Sequence, residues 1–353
     1  MGHVVLLASL HGATGNFVSA SRLRAFLTYG GHECSMLDAN SFSSAEELIK
    51  WHETQKTKPN LYVGLHAYRA GRLLLNFFHT SYIIIFGGTD INEHVQQADK
   101  LQIMQNVCDR ATFLVCFTDA IRDRAKQYFK SPENKLKVIS PSVVPPNEEK
   151  AKKALRQFLA HQEVPETTKT FKAYMSIPSE DKMFILPCGI RAVKDPMFLV
   201  DSFVQQFQCA TERWHLVIIG PVLDKEYFDR LKEGMNGKRG VCYHPNLPQD
   251  VLFAALMESE AIVNSSVSEG LSNALLEAMY LQVPIIARNI EGNRNFLTHQ
   301  QTALLYDTAE DFCECVVLLR ECKKRLTANA LAYVTKNHSP ELEQSKYRAI
   351  CYP

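Results

Sequence analysis

At 353 residues the chain is longer than one hydrophobic core usually supports, so two domains of ordinary size are expected. Thirty-nine lysines and arginines against 38 acids leave a formal charge of +1, and no long run of either sign occurs. That balance excludes attachment to nucleic acid or a membrane surface through bulk charge.

The opening MGHVVLLASLHGATG has a short apolar run with no Lys/Arg stretch before it and passes straight into glycines. It predicts a first strand at 4–10 in a cytoplasmic protein, with secretion through this segment as the alternative. No apolar stretch approaches the ~20 residues of a membrane-spanning helix. Strands are next expected at 32–37, 61–66, 82–86, 111–116 and 136–140, separated by helix-like segments such as NFVSASRLRAFLTY, which Gly30-Gly31 stops. Their continuous apolar character fits strands covered on both faces, as in parallel sheets. Pro145-Pro146 marks a linker. The rhythm resumes with strands at 183–189, 214–220, 241–245, 261–266 and 284–288. The expected architecture is α/β, with two doubly wound Rossmann-like domains facing across a cleft. Residues 1–146 form the first, with 340–353 returning to complete it, and 147–339 form the second. Ten cysteines without a C-x-x-C pair support neither a zinc site nor a disulfide framework, and no metal ligands are assigned.

Ligands of open parallel sheets bind beyond the carboxyl ends of the strands, so the loops there hold the candidates. HGATGN, with Gly12 and Gly15, opens a helix and suits either an anion held by backbone N–H groups or a plain tight turn. LHAYRAGR presents His66, Arg69 and Arg72, and GGTDIN presents Thr89 and Asp90, the latter equally suited to capping a helix. CGIRAVKDP sets Arg191 and Lys194 after a strand, a pairing of planar fork and point charge that suits a diphosphate. In SEGLSNALLEAMY, Glu269 stands in a loop and Glu277 eight positions on, among Ala, Leu and Met where an unpaired carboxylate is costly. Ser272 or Asn273 caps the helix between them, whose N-terminal amides face the same loops. A carboxylate at Glu277 is the right acceptor for a ribose diol.

The series CGIRAVKDP, HLVIIG, EGLSNALLEAM, VPIIA and IEGNRNFL resembles the C-terminal domain of the retaining, nucleotide-sugar-dependent glycosyltransferases of the GT-B fold, the group of sucrose and glycogen synthases. HGATGN, LHAYRAG and FGGTDI are similar to loops of that group's first domain, so the likeness spans nearly the whole chain. Its most specific element is the glutamate pair separated by seven residues.

The resemblance implies a metal-independent, hexosyltransferase-like transferase that moves a sugar from a nucleoside diphosphate sugar to an acceptor with retention of configuration. No cofactor beyond that co-substrate is implied. Arg191 and Lys194 would bind the diphosphate, Glu269 the sugar hydroxyls and Glu277 the ribose. Gly270, Leu271 and Ser272 would offer amides to the phosphates, His66 would stand near the reacting sugar, and Gly12, Gly15 and Asp90 would border the cleft. The chain departs from the group in its short Arg191-to-Lys194 spacing, in Gln282 where glycine is common and in Asn295 where glutamate is frequent. These departures give the alternative reading, a catalytically inactive protein that binds nucleotide sugars.

Overall fold

The computed structural model describes residues 2–10, 15–28, 32–77, 80–130, 133–144, 147–209 and 212–352, with Gly15 and residues 207–209 described by backbone alone. The chain forms two compact units, Met1–Ser142 joined by His338–Pro353, and Val143–Asn337. Gly12, Gly30, Gly31 and the linker expected at Pro145-Pro146 lie outside the described residues.

The first unit is built on six parallel strands: β1 (His3–Ala8), β2 (Glu33–Asp38), β3 (Leu61–Leu65), β4 (Ser81–Ile85), β5 (Phe113–Cys116) and β6 (Leu136–Val138). They lie in the order β2-β1-β3-β4-β5-β6. Successive side chains of a strand point to opposite faces, so an unbroken apolar run requires cover on both. The packing shows that cover: Val5, Leu7 and Ile84 enter one buried cluster, while Val4, Leu6, Ile83 and Ile85 enter another. The C-terminal helix Pro340–Cys351 belongs to this unit and packs on the helix Gly15–Leu27. Arg22 Nε donates to Glu343 Oε2 at 2.9 Å, and the Tyr352 hydroxyl donates to the Leu27 carbonyl at 3.0 Å.

The second unit has β7 (Lys182–Pro187), β8 (Trp214–Ile219), β9 (Val241–His244), β10 (Ala261–Asn264), β11 (Ile285–Arg288) and β12 (Leu304–Tyr306). Their order is β12-β11-β10-β7-β8-β9, all parallel. Met183, Ile185 and Val217 again fill one face, and Phe184, Leu186 and Leu216 the other. β12 is a strand that the sequence reading does not include. Its Tyr306 is buried, and the hydroxyl donates to the Asn264 carbonyl at 2.8 Å. The order places β7 beside β10, with successive strands leaving in opposite directions from that pair. This is the topological switch point of a doubly wound sheet, the end at which ligands of such sheets bind. Among the described residues no helix is long and apolar enough to cross a membrane.

Candidate functional site

The loops after β7 and β10 flank the switch point and are stitched together by their backbones. Val267 N donates to the Val193 carbonyl at 2.9 Å, and Ser265 Oγ to the Lys194 carbonyl at 2.9 Å. The stitching brings together two residues 75 positions apart: Lys194 Nζ lies 2.5 Å from Glu269 Oε1, and both side chains are largely buried. The same oxygen accepts from Ser266 Oγ at 2.7 Å and from Asn264 Nδ2 at 3.3 Å. Burial by itself pushes the Glu269 carboxyl upward, but Lys194 and the hydroxyl and amide donors outweigh it and hold the group below the usual carboxylate range. Three donors saturate Oε1. Oε2 has no hydrogen-bond partner among the described residues.

Arg191 begins the loop in extended conformation. Its Nε is buried with no hydrogen-bond partner, although burying such a group unpaired is costly. Lys194 is followed by Asp195, which takes left-handed backbone at φ 43°. Asp195 is pinned by Arg288 Nη1 at 3.1 Å and the Tyr227 hydroxyl at 3.2 Å, and Arg288 stacks over Phe198 at 4.1 Å. The short arginine-to-lysine spacing is therefore held by an acid placed directly behind the lysine. The Glu269 loop is fixed from the other side by Gly292, where a Cβ would stand 2.1 Å from the Glu269 carbonyl oxygen. Only glycine permits that approach.

The helix Asn273–Tyr280 follows, with Ser272 at its N-cap position. The Ser272 side chain makes no cap hydrogen bond, and Gly270, Leu271 and Ser272 are all half-buried. Glu277 is half-buried on this helix, and its Oε1 accepts from Gln249 Nε2 at 2.7 Å. The carboxylate among Ala, Leu and Met is thus met by a carboxamide from the first turn of the helix Gln249–Met257.

In the first unit the corresponding loops look different. His66 follows β3, is buried, and takes φ 88°, a conformation rarely held by a residue with a Cβ. Its Nδ1 accepts from the amides of Tyr68 at 3.2 Å and Arg69 at 3.1 Å. The proton therefore sits on Nε2, which faces Thr89 Oγ1 at 3.1 Å. Burial pushes the imidazole below its ordinary range against the pull of Asp90. Asp90 is fully buried and accepts from the amides of Ala67, Gly87, Gly88 and Ile91. It lies inside the short helix Thr89–Asn92, whose cap position is Gly88. Its role is a clasp between the loops after β3 and β4. Arg72 is spent on the carbonyls of Ser43 and Phe42, while Arg69 is exposed. Gly15 starts the helix after β1.

Comparison with known proteins adds to this geometry. Residues 184–321, which carry the switch-point loops, match the family described as Glycosyl transferases group 1. The whole chain is similar to glycosyltransferase 1 domain-containing protein 1 of Xenopus tropicalis, 33% identical across 98% of this chain and 96% of that protein. The chain belongs to the glycosyltransferase 1 domain-containing family. Solved structures share the fold at low identity. Anabaena HepE in complex with UDP-glucose superposes with a TM-score of 0.77 at 12% identity, covering 99% of this chain and 100% of that one. Sucrose-phosphate synthase from Thermosynechococcus elongatus gives 0.78 at 12% identity, covering 99% and 98%. Both confirm the GT-B fold of this glycosyltransferase.

The candidate site also contains residues that motif reading passes over: Asn264, Ser266, Asp195, Arg288, Asn293 and Gln249. A signal existed for the first two, because VNSS breaks polar at the end of an apolar strand. The other four became visible only through their partners. The departures at 282 and 295 are explained locally. Gln282 takes φ 53°, the left-handed backbone for which glycine is the usual residue. Asn295 is exposed at the end of the short helix Glu291–Arg294.

Proposed function

We propose that this glycosyltransferase moves a sugar from a nucleoside diphosphate sugar to an acceptor hydroxyl, with retention of anomeric configuration and without a metal ion. The observation that carries the proposal is the pattern of unpaired polar groups at the switch point: a buried, partnerless Arg191 Nε and a Glu269 carboxylate with one oxygen saturated and one open. A diphosphate supplies oxygens for the first, and a sugar hydroxyl supplies a hydrogen for the second.

In this reading Arg191, Lys194 and the amides of Gly270, Leu271 and Ser272 meet the charge that grows on the diphosphate as the glycosidic bond breaks. Preorganised donors of this kind contribute several kcal/mol to a rate. Lys194 shifts from Glu269 toward phosphate as the donor binds, and Glu277, steadied by Gln249, takes the ribose hydroxyls. Double displacement needs a carboxylate at nucleophile distance from the anomeric carbon. Glu269 is bound to the sugar hydroxyls instead, so front-side return assisted by the leaving phosphate is the consistent course.

The test is nucleotide release from uridine, guanosine and adenosine diphosphate sugars, with the product anomer read by NMR. HepE was solved with UDP-glucose, so uridine diphosphate sugars form the first arm. Release by the wild type, equal rates with and without EDTA, and loss of release in Glu269→Ala and Glu277→Ala are expected. Tight nucleotide binding without release on any acceptor would instead identify an inactive binding protein.

A further inference from the structure

We propose that Asn293 is a positioning residue for Glu269, acting through Asn264 to decide which carboxylate oxygen meets the donor sugar. The proposal rests on the reading of Glu269 as the sugar ligand. Its origin is a backbone carbonyl. β11 ends at Arg288, whose carbonyl oxygen accepts from Asn293 Nδ2 at 2.9 Å. A carbonyl can only accept, so the Asn293 carboxamide must present its nitrogen there. The second hydrogen of that nitrogen goes to Asn264 Oδ1 at 2.9 Å. Asn264 is thereby forced to turn its own nitrogen the other way, toward Ser266 Oγ at 3.3 Å and Glu269 Oε1 at 3.3 Å.

The direction of the relay is thus set at one end by a group that cannot reverse. Flipping Asn293 would set its oxygen against two acceptors, and flipping Asn264 would set nitrogen against nitrogen. Both amides are buried, Asn293 completely, so water cannot make good either error. Ser266 Oγ follows the same sense and donates to Glu269 Oε1. Oε1 is saturated from within the protein, and Oε2 is left for an incoming hydroxyl. The turn that bears Asn293 is also in backbone contact with Glu269, through Gly292. A relay that served only to fill the core would have no need to end on one oxygen of a charged site residue.

The full chain with Asn293→Asp tests this, because the change keeps shape and replaces the donating nitrogen with oxygen. Calorimetry with a nucleoside diphosphate and with the corresponding nucleotide sugar, together with nucleotide release, separates the outcomes. Loss of orientation at Glu269 should lower kcat/KM for the nucleotide sugar about tenfold, the worth of one hydrogen bond to a charged group, and leave diphosphate affinity within about twofold. In a Glu269→Gln background the same change should cost nothing further, since residues acting through one another are not additive. Equal losses for both ligands, or an undiminished loss in that background, would overturn the proposal in favour of general core disruption. Should Asn293→Asp fail to fold, Asn293→Ser, which keeps one donor in a smaller side chain, carries the same comparison. Failure of the wild type to bind any nucleotide sugar would instead refute the underlying reading of Glu269, and the relay's role with it.

Discussion

At the carboxyl end of the first sheet, Asp90 accepts from four backbone amides, while His66 accepts two amides at Nδ1 and faces Thr89 with Nε2. At the same end of the second sheet, Glu269 leaves one oxygen open and Arg191 leaves a buried nitrogen unpaired. Both regions are strand-end loops with a buried carboxylate, although the second is the sharper in sequence. The difference lies in what remains after internal bonding. Asp90 and His66 spend their polar atoms on the loops that carry them, whereas Glu269 and Arg191 each keep an atom that no described residue answers.

The largest effect that separates the two is expected at Arg191. Arg191→Ala should lower nucleotide release about 10²–10³-fold, as loss of a preorganised electrostatic donor does. Its melting temperature should stay at or above that of the wild type, because a buried unpaired nitrogen is removed. A matching fall in stability would show that Arg191 is a structural residue and would erase the contrast.

Asp90→Ala should behave in the opposite way. Removing the acceptor of four amides is expected to cost about 3 kcal/mol or more of stability, read by urea unfolding, since each buried donor left unpaired is costly. Loss of activity with wild-type stability would move Asp90 from clasp to ligand.

The smallest effect is in the pH dependence of stability. His94 is buried beside His66, with ring centroids 4.9 Å apart, and its Nδ1 is buried without a partner. Burial and then the neighbouring His66, Lys100 and Arg69 push its imidazole down to about 4. Its pKa is depressed in the folded state, so between the ordinary 6.5 and about 4 the unfolded chain takes a proton that the folded one refuses. Stability contributed by neutral His94 is complete above the ordinary value and is lost as pH falls through this window. Glu269 has the same sign at lower pH: its pairing contributes above the ordinary carboxylate value and is lost as pH falls through its depressed one. Unfolding measured across pH 7 to 5 should show the first decline, and His94→Gln should reduce its slope, leaving the part that the likewise depressed His66 contributes. An unchanged slope would mean that another group refuses the proton.

Much of this was legible in the residues. Eleven of the strands announce themselves in the sequence, and Glu277 stands out because a carboxylate among Ala, Leu and Met needs a partner. β12 is passed over, although the equally short β6 is anticipated. The fate of His66 was hidden because a histidine in a loop reads the same whether its nitrogens face solvent or backbone amides. Gln249 gave no signal either, since an exposed helix-start glutamine is ordinary until Glu277 is set against it.

Local pattern determined the elements, because burial on both faces demands apolar residues in unbroken runs, and it determined which residue types could serve a diphosphate, a diol or a sugar. Tertiary structure alone decided which of them act together. Lys194 and Glu269 meet because the strand order sets β7 beside β10, and Asn264 turns its amide nitrogen to Glu269 Oε1 because Asn293, held by the carbonyl at the end of β11, donates to its oxygen. Pairings of this kind depend on strand order and hydrogen-bond direction, and neither is written in the spacing of residues along the chain.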